Sequence, residues 1–234
     1  MKRRLKMFAA RLPRRWQQAL KRAYFARQIG KHSFQAPEPE YEMLPTMVSP
    51  GDWALDIGAN VGHYALRLSE LVGAQGRVIA FEPVPDAFEV LVANAALAAQ
   101  KNITLINAAI SDSASISGMV IPKCEASGLD NLYLAQLSRD ESGLQVLCLT
   151  VDSLALPRPV RLVKIDTEGH ELAVLRGMKE LLRRDHPILL VEDNDAEVSA
   201  YLAGFGYSSQ KVAGSSNRIF HPSPSKTGAA GSQT

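Results

Sequence analysis

Trp53-Ala54-Leu55-Asp56-Ile57-Gly58-Ala59-Asn60-Val61-Gly62 decides the fold of this chain. Its first five residues have the composition of a short apolar strand. From Val61 the apolar positions change period. Val61, Tyr64, Ala65, Leu68, Leu71 and Val72 share one face of a helix, and Gly73 stands where that helix would stop. Between strand and helix lie Gly58 and Gly62, four apart and led by an acid. Glycine lets the backbone approach a ligand closely, and the helix that follows turns its free N–H groups toward it. The dinucleotide pattern G-x-G-x-x-G suits a pyrophosphate, and it is not present. An acid at this strand end would repel a pyrophosphate but tolerate a cation such as a sulfonium amino acid. An ordinary Gly-rich strand-to-helix turn is the plain alternative.

The strand–helix rhythm continues outward from this loop. Arg77–Phe81 reads as a second strand, ending in Phe81-Glu82-Pro83. Glu82 lies 20 residues beyond Gly62, and a carboxylate there can accept hydrogen bonds from both hydroxyls of a ribose. The alternative is a solvated strand-end acid. Taken together, the two motifs indicate adenosine without phosphates. A helix is expected from Asp86, with Glu89 completing a capping box and Phe88, Leu91, Val92, Ala95 and Ala99 on its buried face. Ile103–Ile110 reads as a third strand. Two further β-like runs, Ile116–Ile121 and Leu144–Val151, suggest an inserted hairpin with a long polar loop. Val160–Asp166 and Ile188–Val191 give a fourth and a fifth strand. One helix separates them, with Val174, Leu175, Met178, Leu181 and Leu182 on its apolar side. A short helix near Ala196–Ala203 and closing strands at 210–212 and 218–220 complete the body. The expected class is therefore α/β: a mostly parallel, doubly wound sheet with a β-hairpin inserted between the third and fourth core strands.

A third motif, Lys164-Ile165-Asp166-Thr167-Glu168-Gly169-His170-Glu171, ends the fourth strand. Strand alternation puts Lys164 and Asp166 on one face. In a doubly wound sheet the fourth strand lies beside the first, and ligands sit beyond the carboxyl ends. Asp56, Asp166 and Glu192 should therefore converge at one edge. An acidic helix start that complements the dipole accounts for Glu168 or Glu171, and less well for Asp166.

The ordered set of Asp56–Gly62, Phe81-Glu82-Pro83, Asn107–Asp112, Lys164–Glu171 and Arg176-Gly177 resembles the FkbM family of methyltransferases. The resemblance covers roughly Trp53–Tyr207. It implies a Rossmann-like class I methyltransferase fold, S-adenosylmethionine as donor, and often O-methylation of hydroxyls on sugars or secondary metabolites. By that resemblance Asp56, Gly58, Asn60 and Gly62 form the donor loop and Glu82 holds the ribose. Ser111 or Asp112 lies near the adenine, and Asp166, Glu168 and Glu171 match the second acidic motif. A hydroxyl is a poor nucleophile and needs a base or a cation nearby, a role open to Asp166, His170 and Glu192. His170 can equally be a solvated residue of the first helical turn. Magnesium held by Asp166, Glu168, Glu192 and Asp193 is chemically possible, but scattered carboxylates do not establish a metal site.

Bulk properties bound the remainder. The 234 residues are 46% hydrophobic, enough for one domain with a full core. No run of about 18 apolar residues marks a membrane span, and the start lacks a signal-peptide core. Only Cys124 and Cys148 are present, too few for a disulfide framework, so a cytoplasmic protein is expected. The net charge of +2 hides an asymmetry: Met1–Lys31 carries eleven Lys or Arg and no acid, leaving a body of 15 basic and 24 acidic residues. An acidic body argues against a nucleic-acid partner and leaves a small-molecule or glycan acceptor. Residues 1–50 read as a basic helical leader, kinked or split by Pro13, and a Pro-rich connector. Residues 51–220 form the methyltransferase domain, and 221–234 a disordered tail. The leader either docks on the body or an acidic membrane face, or caps the domain with a solvated basic surface. Rival functions are a methyltransferase acting on RNA or protein, a binding module of the same fold without chemistry, and a dehydrogenase.

Overall fold

A computed structural model describes residues 12–124, 130–138, 143–192 and 196–223. Helix α1 (Arg14–Gly30) opens the described chain, and a 3-10 segment over Pro39–Thr46 leads to strand β1 (Trp53–Ile57). Helix α2 (His63–Val72), strand β2 (Arg77–Phe81), helix α3 (Pro85–Ala96) and strand β3 (Ile103–Ile106) follow. Next come four short strands, β4 (Ala109–Ile110), β5 (Ser115–Val120), β6 (Gln136–Ser138) and β7 (Leu144–Leu149). The chain continues with β8 (Val160–Ile165), helices α4 (Glu171–Arg176) and α5 (Lys179–Asp185), β9 (Ile188–Glu192), helix α6 (Ala196–Ala203), β10 (Tyr207–Lys211) and β11 (Asn217–Pro222).

Seven strands form the main sheet in the order β10-β11-β9-β8-β1-β2-β3. All neighbours from β9 to β3 are parallel, and β11 runs antiparallel between β9 and β10. The chain winds outward from β1 in both directions, through β2 on one side and β8 on the other. A crevice therefore opens at the carboxyl ends of β1 and β8. Alternation along the strands divides the core. Leu55, Ile57, Val163 and Ile165 pack under Val174, Leu175, Met178, Leu181 and Leu182 of α4 and α5. Ala54, Leu162 and Leu190 face Tyr64, Ala65 and Leu68 of α2 on the other side. Asp56 and Lys164 share that second face and are register partners across β1 and β8.

Several expectations are corrected. The third strand is two strands: the chain leaves the main sheet after Ile106, and Ala109–Ile110 pairs with β7 in a separate four-stranded sheet, β4-β7-β5-β6. The inserted hairpin, β5 with β7, is thus the centre of a larger unit. The capping box at Asp86 does not form. Pro85 takes the first helical position, and the two acids instead pair with Arg14 and Arg22 of α1. Val92 lies on the exposed side of α3, and Ala99 falls beyond its end. The fourth helical segment breaks into α4 and α5 at Gly177. A Cβ there would stand 1.9 Å from the Ser111 carbonyl oxygen, so this crossing admits only glycine. Pro13 stands at the start of α1, its carbonyl accepting from Trp16 N at 2.8 Å; the part of the leader before it, residues 1–11, lies outside the described residues.

The Pro-rich connector is part of the core: Tyr41, Leu44, Met47 and Val48 are buried against α2 and the sheet. At the other end β11 carries order through Pro222, two residues past the expected boundary, and Ser223 N donates to Gly206 O at 2.7 Å. The leader's Leu5, Phe8 and Ala9, Arg139 of the insertion, Asp193 to Asp195, and residues 224–234 lie outside the described residues.

Candidate active site

The Asp56–Gly62 loop is shaped by its backbone. Gly58, Asn60 and Gly62 all have positive φ, at 80°, 47° and 95°. A Cβ on Gly58 would lie 1.8 Å from the Asp166 carbonyl oxygen, so the loop presses against the end of β8. Amides of Gly58 and Ala59 both donate to Phe81 O, at 3.0 and 2.9 Å, which ties the loop to the end of β2. Gly62 serves packing instead: a Cβ there would meet Leu91 Cδ1 at 2.6 Å.

Glu82 is 5% exposed at the end of β2. One of its oxygens accepts from Asn60 N and the other from Val84 N, each at 2.8 Å. Each oxygen keeps a lone pair for a further donor. Burial pushes this carboxyl up to about 7, against the two amides that favour its charged form.

On the opposite wall Lys164 is almost fully enclosed. Its Nζ lies 2.8 Å from Asp166 Oδ2, 3.5 Å from Gly58 O and 4.0 Å from Asp56 Oδ1. Burial pulls Lys164 down, but Asp166 and Asp56 outweigh it and hold the ammonium above its usual range. Asp56 has no exposed surface, and burial raises it to about 6 despite Lys164. For Asp166 burial works upward, but Lys164 overrides it and keeps the group below the ordinary carboxylate range. Glu192 rises to about 7, first through burial and then through the Asp166 charge and the hydrogen bond the two share. The carboxylates of Asp166, Glu168 and Glu192 lie within 4.8 Å of one another.

The turn after β8 is held by one atom. Glu171 Oε1 accepts from Thr167 N, Thr167 Oγ1 and Gly169 N at 3.0, 3.0 and 3.1 Å. Glu168 sits within it at φ 52°, a conformation costly for a non-glycine residue and therefore kept by its surroundings. His170 closes the turn, with Nε2 2.9 Å from Ser111 Oγ and burial lowering its pKa.

A cavity of about 380 Å³ joins these parts. Gly58, Ala59, Asn60, Glu82, Asp166, Glu168 and His170 line it, as expected of the motifs. Among the expected site residues, Asp56, Gly62, Ser111 and Asp112 do not line it. Asp56 is sealed behind the loop, Gly62 faces α3, Ser111 supports His170, and Asp112 is exposed. Glu192 stands behind Asp166 and accepts from Ser216 Oγ at 3.2 Å. Wall residues that carried no motif are Glu38 from the connector, His63 and Tyr64 from α2, and Leu132 and Tyr133 from the insertion. His63 stacks on Phe34 at 4.1 Å, and burial lowers it to about 4, leaving it neutral near pH 7.

The wall suits a donor-rich ligand. Buried Glu38 Oε2 and Asn60 Oδ1 have no partner among the described residues, and Glu82 has acceptor capacity to spare. Beyond Glu82 the wall turns apolar, with Val84, Ala109, Met119, Leu132 and Leu137 packed together. S-adenosylmethionine presents an ammonium, ribose hydroxyls and a purine, which match the orphan acceptors, Glu82 and the apolar end in turn.

Residues 56–209 match the methyltransferase FkbM domain, well over half of the chain. The chain belongs to the FkbM family of methyltransferases. The hexuronic acid methyltransferase AglP of Haloferax volcanii is 33% identical over 133 residues, 55% of this chain and 50% of that protein. This chain thus spans about half the length of the curated relative it matches. The crystal structure of methyltransferase FkbM from Methylobacillus flagellatus matches with a TM-score of 0.52 at 14% identity, over 79% of this chain and 50% of that one. At that identity the likeness is one of fold. Among the described residues no helix is long and apolar enough to cross a membrane.

Proposed function

We propose that this FkbM-family chain transfers the methyl group of S-adenosylmethionine to a hydroxyl of a neutral sugar or similar polyhydroxylated metabolite. The observation that carries this reading is the meeting of three parts around one cavity: the Gly58–Asn60 loop, Glu82, and the Asp166–His170 turn. The acceptor oxygen attacks the methyl carbon in line, the C–S bond breaks with its electrons going to sulfur, and the hydroxyl proton goes to a base. The sulfonium supplies the driving force, while the protein aligns the reactants and excludes water.

Asp166 lines the cavity, and in this reading it accepts the acceptor's hydrogen bond. Glu192, raised to about 7 and bonded to Asp166, is matched to hold the departing proton at neutral pH. The two carboxyls act as one titrating unit. His170, neutral and pinned by Ser111, forms the adjoining wall.

AglP is named for a hexuronic acid, whose carboxylate calls for a cation. Among the described residues of this cavity the charged wall is Glu38, Glu82, Asp166 and Glu168 against Lys164, which Asp56 and Asp166 already engage. An anionic sugar would meet like charge here, and a neutral polyol would not. The two-cysteine composition suits a reducing compartment, and the cytoplasm is the proposed site of action.

The test pairs binding with turnover. Asp166→Asn should lower turnover on a neutral glycan acceptor by about 10²–10⁴-fold while S-adenosylhomocysteine still binds. If Asp166→Asn and His170→Ala both keep near-wild-type turnover with donor binding intact, the assignment is wrong. Faster methylation of hexuronic acids than of neutral sugars would reverse the choice of acceptor.

A further inference from the structure

We propose that the outer face of α1 docks on an anionic lipid bilayer and brings the cavity mouth to the membrane surface. Trp16, Leu20 and Tyr24 follow one another at four-residue spacing, and all are exposed, at 55, 50 and 59%. Three large apolar side chains in a row on one helix face are not packed against the domain's described residues. The opposite face is used: Phe25 and Ile29 pack against Phe34, Val61, Leu66 and Val90, and Arg14 and Arg22 pair with Asp86 and Glu89 of α3. The body therefore fixes this helix and leaves the apolar row outward.

Charge complementarity names the occupant. The helix and the residue after it carry Arg14, Arg15, Lys21, Arg22, Arg27 and Lys31 with no acid, whereas the body beyond Lys31 carries nine more acids than bases. Arg15, Arg27 and Lys31 are exposed, and the Arg15 guanidinium lies 6.0 Å from the Trp16 ring. Tryptophan and tyrosine with a basic fringe are the side chains that settle at a bilayer's headgroup level. A nucleic acid would meet basic charge on this helix alone, with an acidic body behind it.

Position gives the docking a purpose. Phe25 meets the cavity-lining His63 edge-on at 6.0 Å, so α1 packs directly beside the cavity wall. Tyr133, which lines the cavity, and its neighbour Leu134 are 54 and 45% exposed and present further apolar surface at the cavity rim. A bilayer touching α1 would thus adjoin the cavity entrance, as suits an acceptor carried on a lipid. The docking stands apart from the methyl-transfer reading and is measured without turnover.

The experiment is co-sedimentation of the full chain with phosphatidylcholine vesicles, with and without about 30% phosphatidylglycerol, at low and at 1 M salt. The expected result is pelleting with the anionic vesicles only, weakened at 1 M salt, where charges more than about 3 Å apart are screened. The triple variant Trp16→Ser, Leu20→Ser, Tyr24→Ser should bind at least tenfold more weakly with an unchanged circular dichroism spectrum. Arg15→Ala with Arg27→Ala, which leaves the apolar row intact, should also weaken binding by roughly tenfold or more, at about fivefold per basic residue near the surface. No pelleting at low salt would overturn the proposal. So would a folded triple variant that pellets like the wild type, or single-stranded RNA binding lost in the triple variant while vesicle binding is absent.

Discussion

Replacing Glu82 with Gln isolates how the donor site reads protons. In the free protein burial holds this carboxyl at about 7, and its two oxygens already accept from Asn60 N and Val84 N. Ribose hydroxyls donate best to the ionised form. The sign follows: donor binding requires the charged carboxylate, so affinity is full above pH 7 and falls as pH drops through it. A group of pKa about 7 is roughly 90% ionised at pH 8 and 10% at pH 6, so affinity should fall about tenfold between them, or about 1.4 kcal/mol. Glu82→Gln removes the charge and turns an NH₂ donor toward one of the two backbone amides. At pH 8 it should weaken binding by about 10–100-fold, the worth of one charge-assisted hydrogen bond. Its affinity should no longer follow this step in pH.

The assay is calorimetric titration with S-adenosylhomocysteine at pH 6, 7 and 8, in two buffers of different ionisation enthalpy. Wild type should release close to one extra proton on binding at pH 6 compared with the Gln variant. Glu192 and the ligand's own amino group contribute in both proteins, so only the difference between them reports Glu82. Equal pH profiles for wild type and Glu82→Gln would refute the assignment of Glu82 as an ionised ribose acceptor.

Gly58→Ala should destabilise the fold by more than ~2 kcal/mol, because left-handed backbone and a Cβ at 1.8 Å from the Asp166 carbonyl both oppose it; thermal melting reads this, and an unchanged melting temperature would contradict the loop geometry. Lys164→Met should cost more than Asp56→Asn. The first strips a buried acid of its cation, about 3–5 kcal/mol, whereas the second leaves Lys164 with Asp166 at 2.8 Å; denaturant midpoints that rank the other way would break the Asp56–Lys164–Asp166 frame. Methyl transfer should survive exhaustive chelation, because Lys164, 2.8 Å from Asp166, already offsets charge where Asp166, Glu168 and Glu192 converge; activity lost to chelator and restored by magnesium would make that cluster a metal site.

Much of the sheet was legible because β2 and β9 carry apolar runs at Val78–Phe81 and Ile188–Val191, and β1 and β8 are apolar but for Asp56, Arg161 and Lys164, as buried parallel strands are. The connector was not. Tyr41, Leu44, Met47 and Val48 bury themselves through a 3-10 segment among prolines and acids, a geometry with no apolar period to detect. Local signals also lost to tertiary ones. Asp86 and Glu89 have capping-box spacing, yet Arg14 and Arg22, more than 60 residues away in sequence, take them. Such exposed ion pairs are worth only about 0–1 kcal/mol each, so the apolar contacts of Phe25 and Ile29 must hold α1 in place. Gly177 breaks a helix that its neighbours favour, because the Ser111 carbonyl occupies the space of its Cβ.

At the site, motif residues divide by what they touch. Gly58, Asn60, Glu82 and Asp166 line the cavity; strand-end position pointed to Gly58, Glu82 and Asp166, and the family resemblance to Asn60. Asp56 belongs to the same motif but never reaches the ligand space. It lies on the face of β1 toward α2, opposite Lys164, and that strand parity was readable before any side chain was placed. The chemical consequence was not, since it depends on burial. A solvated aspartate at that strand end would meet a cationic donor directly. A fully buried one needs Lys164, and Lys164 in turn reaches Gly58 O and Asp166. The acid therefore braces the cavity through the lysine, which reaches the loop on one side and the Asp166 carboxylate on the other. The cavity's remaining wall, Glu38, His63 and Tyr133, comes from three segments with no motif, which is why the chemistry of the donor was readable in the sequence and the shape of the acceptor was not.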